Sequence, residues 1–232
     1  MRVILTGAAR GLGLEVALEA VKREHQIAAV CRPQSDVTTL ENLAKKYPRL
    51  VSIFKADVTN EKKMSEVASI IEKKWGALDG IINNAAIMIG RFESIDELDL
   101  DDVRQSFEVN VMGCMNVVKQ CLPLVYKGKA PVVINVSSEA GTIVNAFSLN
   151  YPYSMSKTAL NMFTERLRSH LADKDILAWA VHPGWMRTAM GGDSAPVDPA
   201  VTAWGFWEIM ERKIEITSKI SFIDATGRPM PL

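Results

Sequence analysis

Short apolar segments recur along the chain, and most of them are separated by enough residues for one helix. They lie at residues 2–6, 27–32, 51–56, 78–83, 132–136, 177–182 and 220–224. Their residues are mainly of the types enriched in strands, and most run apolar without the alternation of half-exposed strands. The pattern therefore predicts seven strands that are covered on both faces.

The segments between these strands have helical periodicity. In residues 62–75, Met64, Val67, Ala68 and Ile71 fall on one side of a helix, and residues 103–126 predict a second, longer helix. Strands that alternate with helices are typical of a parallel sheet with helices on both faces. We predict one α/β domain built on a doubly wound, seven-stranded, mostly parallel sheet.

No internal repeat, low-complexity tract or linker rich in Pro, Gly or Ser interrupts the chain, so a single domain is predicted over residues 1–232. The one long loop-like segment is 190–199, which contains Gly191, Gly192, Pro196 and Pro199. We interpret this loop and its flanks, residues 185–212, as a small lid over a substrate site.

The composition excludes several classes of protein. Lys plus Arg and Asp plus Glu number 27 each, so no overall field attracts nucleic acid or a membrane surface. The chain has three cysteines, Cys31, Cys114 and Cys121, and their spacing is not that of metal ligands. We therefore expect no disulfide framework and no metal site. No apolar run approaches a membrane span, and the first strand leaves no room for a signal peptide. We expect a cytoplasmic protein.

A glycine-rich turn follows the first strand at once. Residues 6–13 read Thr-Gly-Ala-Ala-Arg-Gly-Leu-Gly, and a helical pattern begins directly after them. Main chain without Cβ atoms and the positive end of a helix together favour a pyrophosphate. The glycine spacing differs from the usual Gly-x-Gly-x2-Gly of dinucleotide folds, and a plain turn between strand and helix is the alternative.

The second predicted strand ends in Arg32, where an acidic residue would accept the ribose 2′-hydroxyl of NAD. No carboxylate is available there. Arg32 and Arg10 can instead pair with a 2′-phosphate, which favours NADPH. The alternative for Arg32 is a solvated charge at the end of a strand.

Tyr153 and Lys157 are spaced i,i+4 at the start of a long helical pattern, so both side chains lie on one face. An ammonium group close to a phenol stabilises the phenolate, and such a pair can exchange a proton near neutral pH. Tyr151 is a less suitable partner, because it lies off the face of Lys157 and precedes Pro152, a typical first-turn residue. The alternative for the pair is an ordinary amphipathic helix surface.

The fifth predicted strand ends in Ser137-Ser138, at the sheet edge where ligands of open α/β sheets bind. Ser138 could hold a substrate carbonyl oxygen, and a strand-end cap is the alternative.

Together these motifs resemble the short-chain dehydrogenase/reductase superfamily over essentially the whole chain, which implies a Rossmann fold. The resemblance is carried by Thr6-Gly7, Gly11, Gly13, Asp57, Asn83-Asn84-Ala85-Ala86, Asn110, Ser137-Ser138, Tyr153, Lys157, Pro183-Gly184 and Thr188. The glycine spacing is similar to the ordinary reductase branch. Residues 157–162 and the ending 224–229 are similar to the sniffer-like and C-factor-like carbonyl reductases.

The resemblance implies a catalytic set. Tyr153 would be the acid/base, Lys157 would lower its pKa and bind the nicotinamide ribose, and Ser138 would orient the carbonyl. Asn110 would hold a water that links Lys157 to a proton relay. The implied contacts with NADP(H), besides Tyr153 and Lys157, are Thr6, Gly7, Arg10, Gly11, Leu12, Gly13, Arg32, Asp57, Val58, Asn84, Ala85, Ala86, Pro183, Gly184, Met186 and Thr188.

Two departures from the family pattern bear on this set. Ala86 stands where glycine is usual, which we expect to have little effect because the residue is still small. The interval from Ser138 to Tyr153 is longer than is common, so Ser137 and Ser138 remain alternatives for the substrate serine.

We therefore predict an NADPH-dependent oxidoreductase that reduces a ketone, aldehyde or quinone to an alcohol. The alternative is a catalytically silent regulatory protein that senses the NADP pool. A serine hydrolase is excluded, because Ser138 lacks the Gly-x-Ser-x-Gly elbow and His25, His170 and His182 lack a triad context.

The walls of the substrate site are expected to be mainly apolar. Ile143, Phe147, Trp185, Met186 and Met190 suit an apolar carbonyl compound, whereas Asn145, Asn150 and Arg187 could orient a charged one.

The resemblance also implies a homodimer or homotetramer built on the helices that contain Asn110 and Tyr153. Cys114 and Cys121 mark an apolar stripe on the first of these helices, which is either part of that interface or core.

Overall fold

The computed structural model describes residues 1–232, and all seven predicted strands are present. Three keep the predicted bounds, and the others start or end one or two residues away. The strands are β1 (Arg2–Thr6), β2 (Gln26–Cys31), β3 (Val51–Lys55), β4 (Gly80–Asn83), β5 (Val132–Val136), β6 (Leu177–His182) and β7 (Phe222–Asp224).

Seven α-helices connect the strands or follow them along the chain. They are α1 (Gly11–Lys22), α2 (Thr38–Lys46), α3 (Glu61–Trp75), α4 (Leu100–Phe107), α5 (Cys114–Val125), α6 (Tyr151–Leu171) and α7 (Pro199–Met210). Short 3-10 turns at Glu139–Gly141 and Ala172–Lys174 and a π-helical segment at Glu108–Gly113 complete the regular structure. No helix is both long enough and apolar enough to cross a lipid bilayer.

The strand order is β3-β2-β1-β4-β5-β6-β7, and all six pairings are parallel. The chain moves outward in one direction from β1 to β3 and in the other direction from β4 to β7. The connections after β1 and β4 therefore diverge, and they leave a crevice at the carboxyl edge of the sheet. The prediction of a doubly wound sheet is confirmed.

The hydrophobic core occupies both faces of the sheet. Val3 and Leu5 of β1 pack on one face with residues of α1 and α7, whereas Ile4 packs on the other face with residues of α3, α5 and α6. Strands covered on both faces gain from apolar residues at every position, because no position faces water. This explains the continuous apolar segments of the sequence.

The predicted helix 103–126 is divided in three. A π-helical segment, Glu108–Gly113, separates α4 from α5. Gly113 within it lies against Val58, where an added Cβ would be 2.6 Å from a methyl carbon of that valine. The prediction of one regular helix was therefore wrong, since the extra residue per turn is set by contacts with distant parts of the chain.

The range expected to form a lid contains two different structures. Residues 185–198 form a loop, but α7 is part of the core: Phe206 and Trp207 are fully buried, and the Trp207 indole donates to the carbonyl of Val16 at 3.0 Å. Only the loop remains a candidate lid. Cys114 and Cys121 are also buried, so their stripe faces the core.

Candidate active site

A cavity of about 1060 Å³ opens at the carboxyl edge of the sheet, in the crevice between β1 and β4. Most of the residues predicted to contact a cofactor or substrate lie in its wall. Those residues are Gly7, Arg10, Gly11, Leu12, Arg32, Asp57, Val58, Asn84, Ala85, Ala86, Ser138, Tyr153, Lys157, Pro183, Gly184, Met186 and Thr188. Thr6, Gly13 and Asn110 lie behind the wall.

The glycine turn brings main chain close to the cavity. Gly7 has a φ of +66°, and a Cβ there would be 2.9 Å from the Cα of Ala85. A Cβ on Gly13 would overlap the carbonyl oxygen of Gly7. Arg10 is the N-cap of α1 and forms no capping bond with its side chain. The first N–H groups of α1 are therefore left for an anion in the cavity.

The side chains of Thr6 and Asn84 join this turn to the end of β4 by hydrogen bonds. The Thr6 hydroxyl accepts hydrogen bonds from the main-chain N–H groups of Asn84 and Ala85, both at 3.1 Å. The Asn84 amide donates to the carbonyl oxygens of Thr6 and Gly7, also at 3.1 Å. Both side chains therefore shape this wall of the cavity by holding its main chain.

Two arginines and one carboxylate mark the end of the cavity beside β2 and β3. Arg10 and Arg32 are exposed, and neither side chain forms an ion pair or hydrogen bond within the chain. One oxygen of Asp57 accepts from the main chain and hydroxyl of Thr59, and the other has no partner. Two unpaired guanidinium groups fit a 2′-phosphate, and the free oxygen of Asp57 fits an amino group.

Tyr153 and Lys157 stand on the first two turns of α6, on the opposite wall. The Lys157 ammonium lies 5.4 Å from the centre of the Tyr153 ring. It is almost fully buried and donates to the carbonyl of Val136 at 2.7 Å. Burial lowers the pKa of Lys157 to about 8.

Burial also raises the pKa of Tyr153 to about 12, and a hydrogen bond with the hydroxyl of Ser138 opposes part of that rise. Burial is therefore the largest influence on this pKa. The expected lowering by Lys157 stays a prediction, and the ammonium lies beside the ring while it is held by the Val136 carbonyl.

The two candidate serines have different surroundings. The Ser137 hydroxyl is buried and donates to the Asn161 amide oxygen at 2.5 Å. Ser138 is partly exposed to the cavity, and its Oγ accepts from the N–H of Ala140 at 3.1 Å. Its hydroxyl therefore keeps its hydrogen for donation on the cavity side, where it forms the hydrogen bond with Tyr153.

Asn110 lies in the π-helical segment and is fully buried. Its amide oxygen accepts from the N–H of Ile87 at 2.8 Å, and its NH₂ donates to the Ile87 carbonyl and the Ser156 hydroxyl. Ser156 in turn donates to the Tyr153 carbonyl at 2.7 Å. Asn110 thereby connects the loop after β4 with the helix that carries Tyr153.

The sequence analysis missed the residues that hold the Ser138 turn. Gly141 packs so closely on α6 that a Cβ would be 2.9 Å from the Cβ of Lys157. His182 lies in the cavity wall, and its Nδ1 accepts from the N–H of Glu139 at 3.1 Å. Both residues can be found in the sequence, Gly141 after the serine pair and His182 before Pro183. There they look like common loop and strand-end residues, with no signal that points to a site.

Apolar side chains dominate the open end of the cavity. Phe92, Phe147, Trp185 and Met190 line it and are well exposed, and Arg91 stands among them. The loop that carries Trp185 and Met190 is tied internally, with the indole donating to the carbonyl of Gly191 at 2.7 Å. This end suits an apolar ligand.

Known proteins resemble the chain in sequence. The short chain dehydrogenase family model matches residues 1–197. An NADPH-dependent pterin aldehyde reductase of Arabidopsis thaliana is 30% identical over 207 residues, which cover 87% of this chain and 83% of the relative. An NADP-dependent 3-hydroxy acid dehydrogenase of Schizosaccharomyces pombe is 31% identical over 188 residues, which cover 80% of this chain and 71% of the relative.

Solved structures resemble it over its whole length. The carbonyl reductase Sniffer of D. melanogaster matches with a TM-score of 0.89 and 27% identity, covering 100% of this chain and 99% of that one. The NADPH-bound carbonyl reductase from chicken fatty liver matches with a TM-score of 0.87 and 26% identity, covering 100% and 98%. The likeness to these structures agrees with the family match over residues 1–197. The chain belongs to the short-chain dehydrogenase/reductase family.

Proposed function

We propose that this protein reduces a ketone, aldehyde or quinone to an alcohol with NADPH, and that Tyr153 is its proton donor. As a family member it is an NADP(H)-dependent oxidoreductase of CH–OH and C=O groups. The observation that carries the finer proposal is that one cavity holds Ser138, Tyr153 and Lys157 on one wall and the glycine turn with Arg10 and Arg32 on the other.

The residues present fit the dinucleotide. The N-terminus of α1 would hold the pyrophosphate, Arg10 and Arg32 would pair with the 2′-phosphate, and Asp57 would meet the adenine. Lys157 would bind the nicotinamide ribose, and Pro183, Gly184, Met186 and Thr188 would meet the nicotinamide end. When bound, NADPH supplies the hydride that the carbonyl carbon receives.

Tyr153 performs the proton transfer. Because burial raises the pKa of Tyr153 to about 12, its hydroxyl stays protonated at neutral pH and serves as an acid. The Ser138 hydroxyl donates a second hydrogen bond to the carbonyl oxygen, where negative charge develops. The positive charge of Lys157 beside the ring stabilises the phenolate that remains. A water held near Asn110 returns the proton from solvent.

The substrate is an apolar carbonyl compound that the exposed aromatic residues at the open end accommodate. Phe92, Phe147 and Trp185 provide large contact surfaces there. The relatives named above include reductases of a pterin aldehyde and of unspecified carbonyl compounds, which supports a carbonyl substrate in general.

The protein forms a homodimer or homotetramer through the helices that flank the site. Met112 in the π-helical segment, Met115 at the start of α5, and Met155 and Met162 on α6 are exposed methionines, which are adaptable contact residues. The cytoplasmic location remains a prediction.

The test is oxidation of NADPH and of NADH over a panel of ketones, aldehydes and quinones, with Tyr153→Phe beside the wild type. A positioned acid contributes about 10²- to 10⁴-fold, so Tyr153→Phe should lose at least about 100-fold in kcat. Tyr151→Phe is the matched control, because Tyr151 lies two residues earlier and outside the cavity wall. We expect it to keep wild-type turnover.

Retention of most turnover by Tyr153→Phe would show that another group donates the proton. Tight binding of NADPH without turnover of any carbonyl would instead support the regulatory, NADP-sensing alternative.

A further inference from the structure

We propose that His182 is a positioning residue: its neutral imidazole holds the turn that presents Ser138, so that acid inactivates the site when this imidazole takes up a proton. The inference rests on the proposed function. It concerns a residue with no part in the proton transfer described above.

The contact is direct and joins two elements of the sheet edge. Nδ1 of His182, the last residue of β6, accepts a hydrogen bond of 3.1 Å from the main-chain N–H of Glu139. Glu139 follows Ser138, and the 3-10 turn Glu139–Gly141 starts there with Ser138 as its N-cap. The imidazole therefore holds the residue next to the substrate serine.

The other end of the turn is held by α6. The Gly141 carbonyl accepts from the hydroxyl of Thr158 at 3.0 Å and from the amide of Asn161 at 3.4 Å. Gly141 also packs directly on the main chain at Lys157. With His182 holding the first residue and α6 the last, the hydroxyl of Ser138 is fixed relative to that of Tyr153. Without His182, the end nearer to Ser138 loses its side-chain anchor.

The bond requires one protonation state. Nδ1 can accept only when it carries no proton, so the neutral ring carries its hydrogen on Nε2. Protonation would place a donor at Nδ1 opposite the donor of Glu139, and this contact would open.

Three influences act on the imidazole. Burial lowers the pKa of His182, whereas the carboxylates of Glu139 on the turn and Asp224 on β7 raise it, and the net shift is below the ordinary value of 6.5. Nε2 lies 3.9 Å from a carboxylate oxygen of Glu139, and Asp224 is the register partner of His182 across the sheet. The ring is therefore neutral at pH 7, and the bond is lost as the pH falls through the lowered pKa.

Two amide variants separate position from titration. In His182→Asn the amide oxygen lies where Nδ1 lies, so it can accept from Glu139 but cannot titrate. In His182→Gln the amide lies one bond further out, at the place of Nε2, and does not reach Glu139. His170→Asn replaces an exposed histidine on α6 and serves as the control.

The measurement is kcat with saturating NADPH and carbonyl substrate between pH 5 and 8. We expect the wild type and His170→Asn to lose activity on the acid side, and His182→Asn to keep most of the activity without that loss. His182→Gln should lose about tenfold to 100-fold at every pH, as expected for a misplaced catalytic group. The Kd for NADPH, measured by fluorescence, should change less than about twofold, because Ser138 acts on the carbonyl.

The proposal is overturned if His182→Asn loses activity at low pH as the wild type does. It is also overturned if His182→Gln keeps the wild-type kcat. A second measurement covers the case in which no carbonyl is turned over and the proposed function itself fails. The NMR shift of the Glu139 amide should follow the titration of His182 in the wild type and lose that pH dependence in His182→Asn. An amide shift independent of this titration rejects the contact, whatever the activity.

Discussion

The ammonium of Lys157 donates a hydrogen bond of 2.7 Å to the main-chain carbonyl of Val136, the last residue of β5. This bond ties α6 to the strand that leads into Ser137 and Ser138. The cation next to the Tyr153 ring is therefore held by the sheet, and Tyr153 and Ser138, the proposed acid and substrate serine, share one rigid support.

The first prediction concerns the alkaline side of the pH profile. Because burial lowers the pKa of Lys157 to about 8, the ammonium loses its charge as the pH rises through 8. Tyr153, with a pKa of about 12, is still protonated there. We expect kcat for reduction to fall above about pH 8 with the loss of one proton, since the neutral amine no longer stabilises the phenolate.

Lys157→Arg should move this fall above about pH 10, because arginine does not titrate in that range. Cys114→Ser is the control. Burial raises the pKa of the Cys114 thiol, which lies near Lys157, to about 11, so this thiol is neutral at pH 8. We therefore expect Cys114→Ser to lose activity above about pH 8 as the wild type does. If Lys157→Arg is too slow to assay, NMR titration of labelled lysine gives the pKa directly. A Lys157 pKa above about 10 would contradict the prediction.

The second prediction concerns the choice between NADPH and NADH. Arg32→Asp replaces an unpaired guanidinium with an acid that can accept a ribose 2′-hydroxyl and repels a 2′-phosphate. A hydrogen bond to a charged group contributes about 1.5–3 kcal/mol, so kcat/KM for NADPH should fall by at least about tenfold to 100-fold. We expect kcat/KM for NADH to rise.

Arg49→Asp is the matched control for the change in net charge. Arg49 is exposed just before β3, at the opposite edge of the sheet from the cavity. An equal loss for NADPH in both variants would mean that the general electrostatic field, and not pairing by Arg32, sets the preference.

The third prediction concerns the hydrogen bonds between Thr6 and the end of β4. Thr6→Val keeps the shape of the side chain but removes the oxygen that accepts from the N–H groups of Asn84 and Ala85. Each buried group left without a partner costs about 1–3 kcal/mol. Because the N–H groups of Asn84 and Ala85 are only partly buried, we expect the lower end of this cost for each, a fall of about 2–3 kcal/mol in the free energy of unfolding, and weaker binding of NADPH.

Thr6→Ser retains the oxygen and should keep the stability within about 1 kcal/mol of wild type. Urea unfolding and NADPH titration of both variants measure the two effects. Similar stabilities of Thr6→Val and Thr6→Ser would show that the hydroxyl contributes little to the turn.

Much of the fold follows from local pattern. A strand covered on both faces is apolar at every position, so β1, β5 and β6 could be bounded correctly from the sequence. The interruption of the predicted helix 103–126 could not be predicted from local pattern, because a π-helical segment depends on partners such as Ile87 and Val58 that lie far along the chain. The place of α7 in the core could not be predicted either, because its buried residues pack with those of α1, which lie far along the chain.

The candidate site divides in the same way. Residues whose chemistry depends on spacing are identified from local pattern alone: the glycine turn, Tyr153 with Lys157 one helical turn apart, and arginines where an acid is usual. Their partners come from the packing of distant segments: the Val136 carbonyl for Lys157, the residues after β4 for Thr6, and the imidazole of His182, 43 residues away, for Glu139. Periodicity and spacing are local properties, whereas burial and hydrogen-bond partners exist only once distant segments have packed, and these set the pKa values and the geometry of the site.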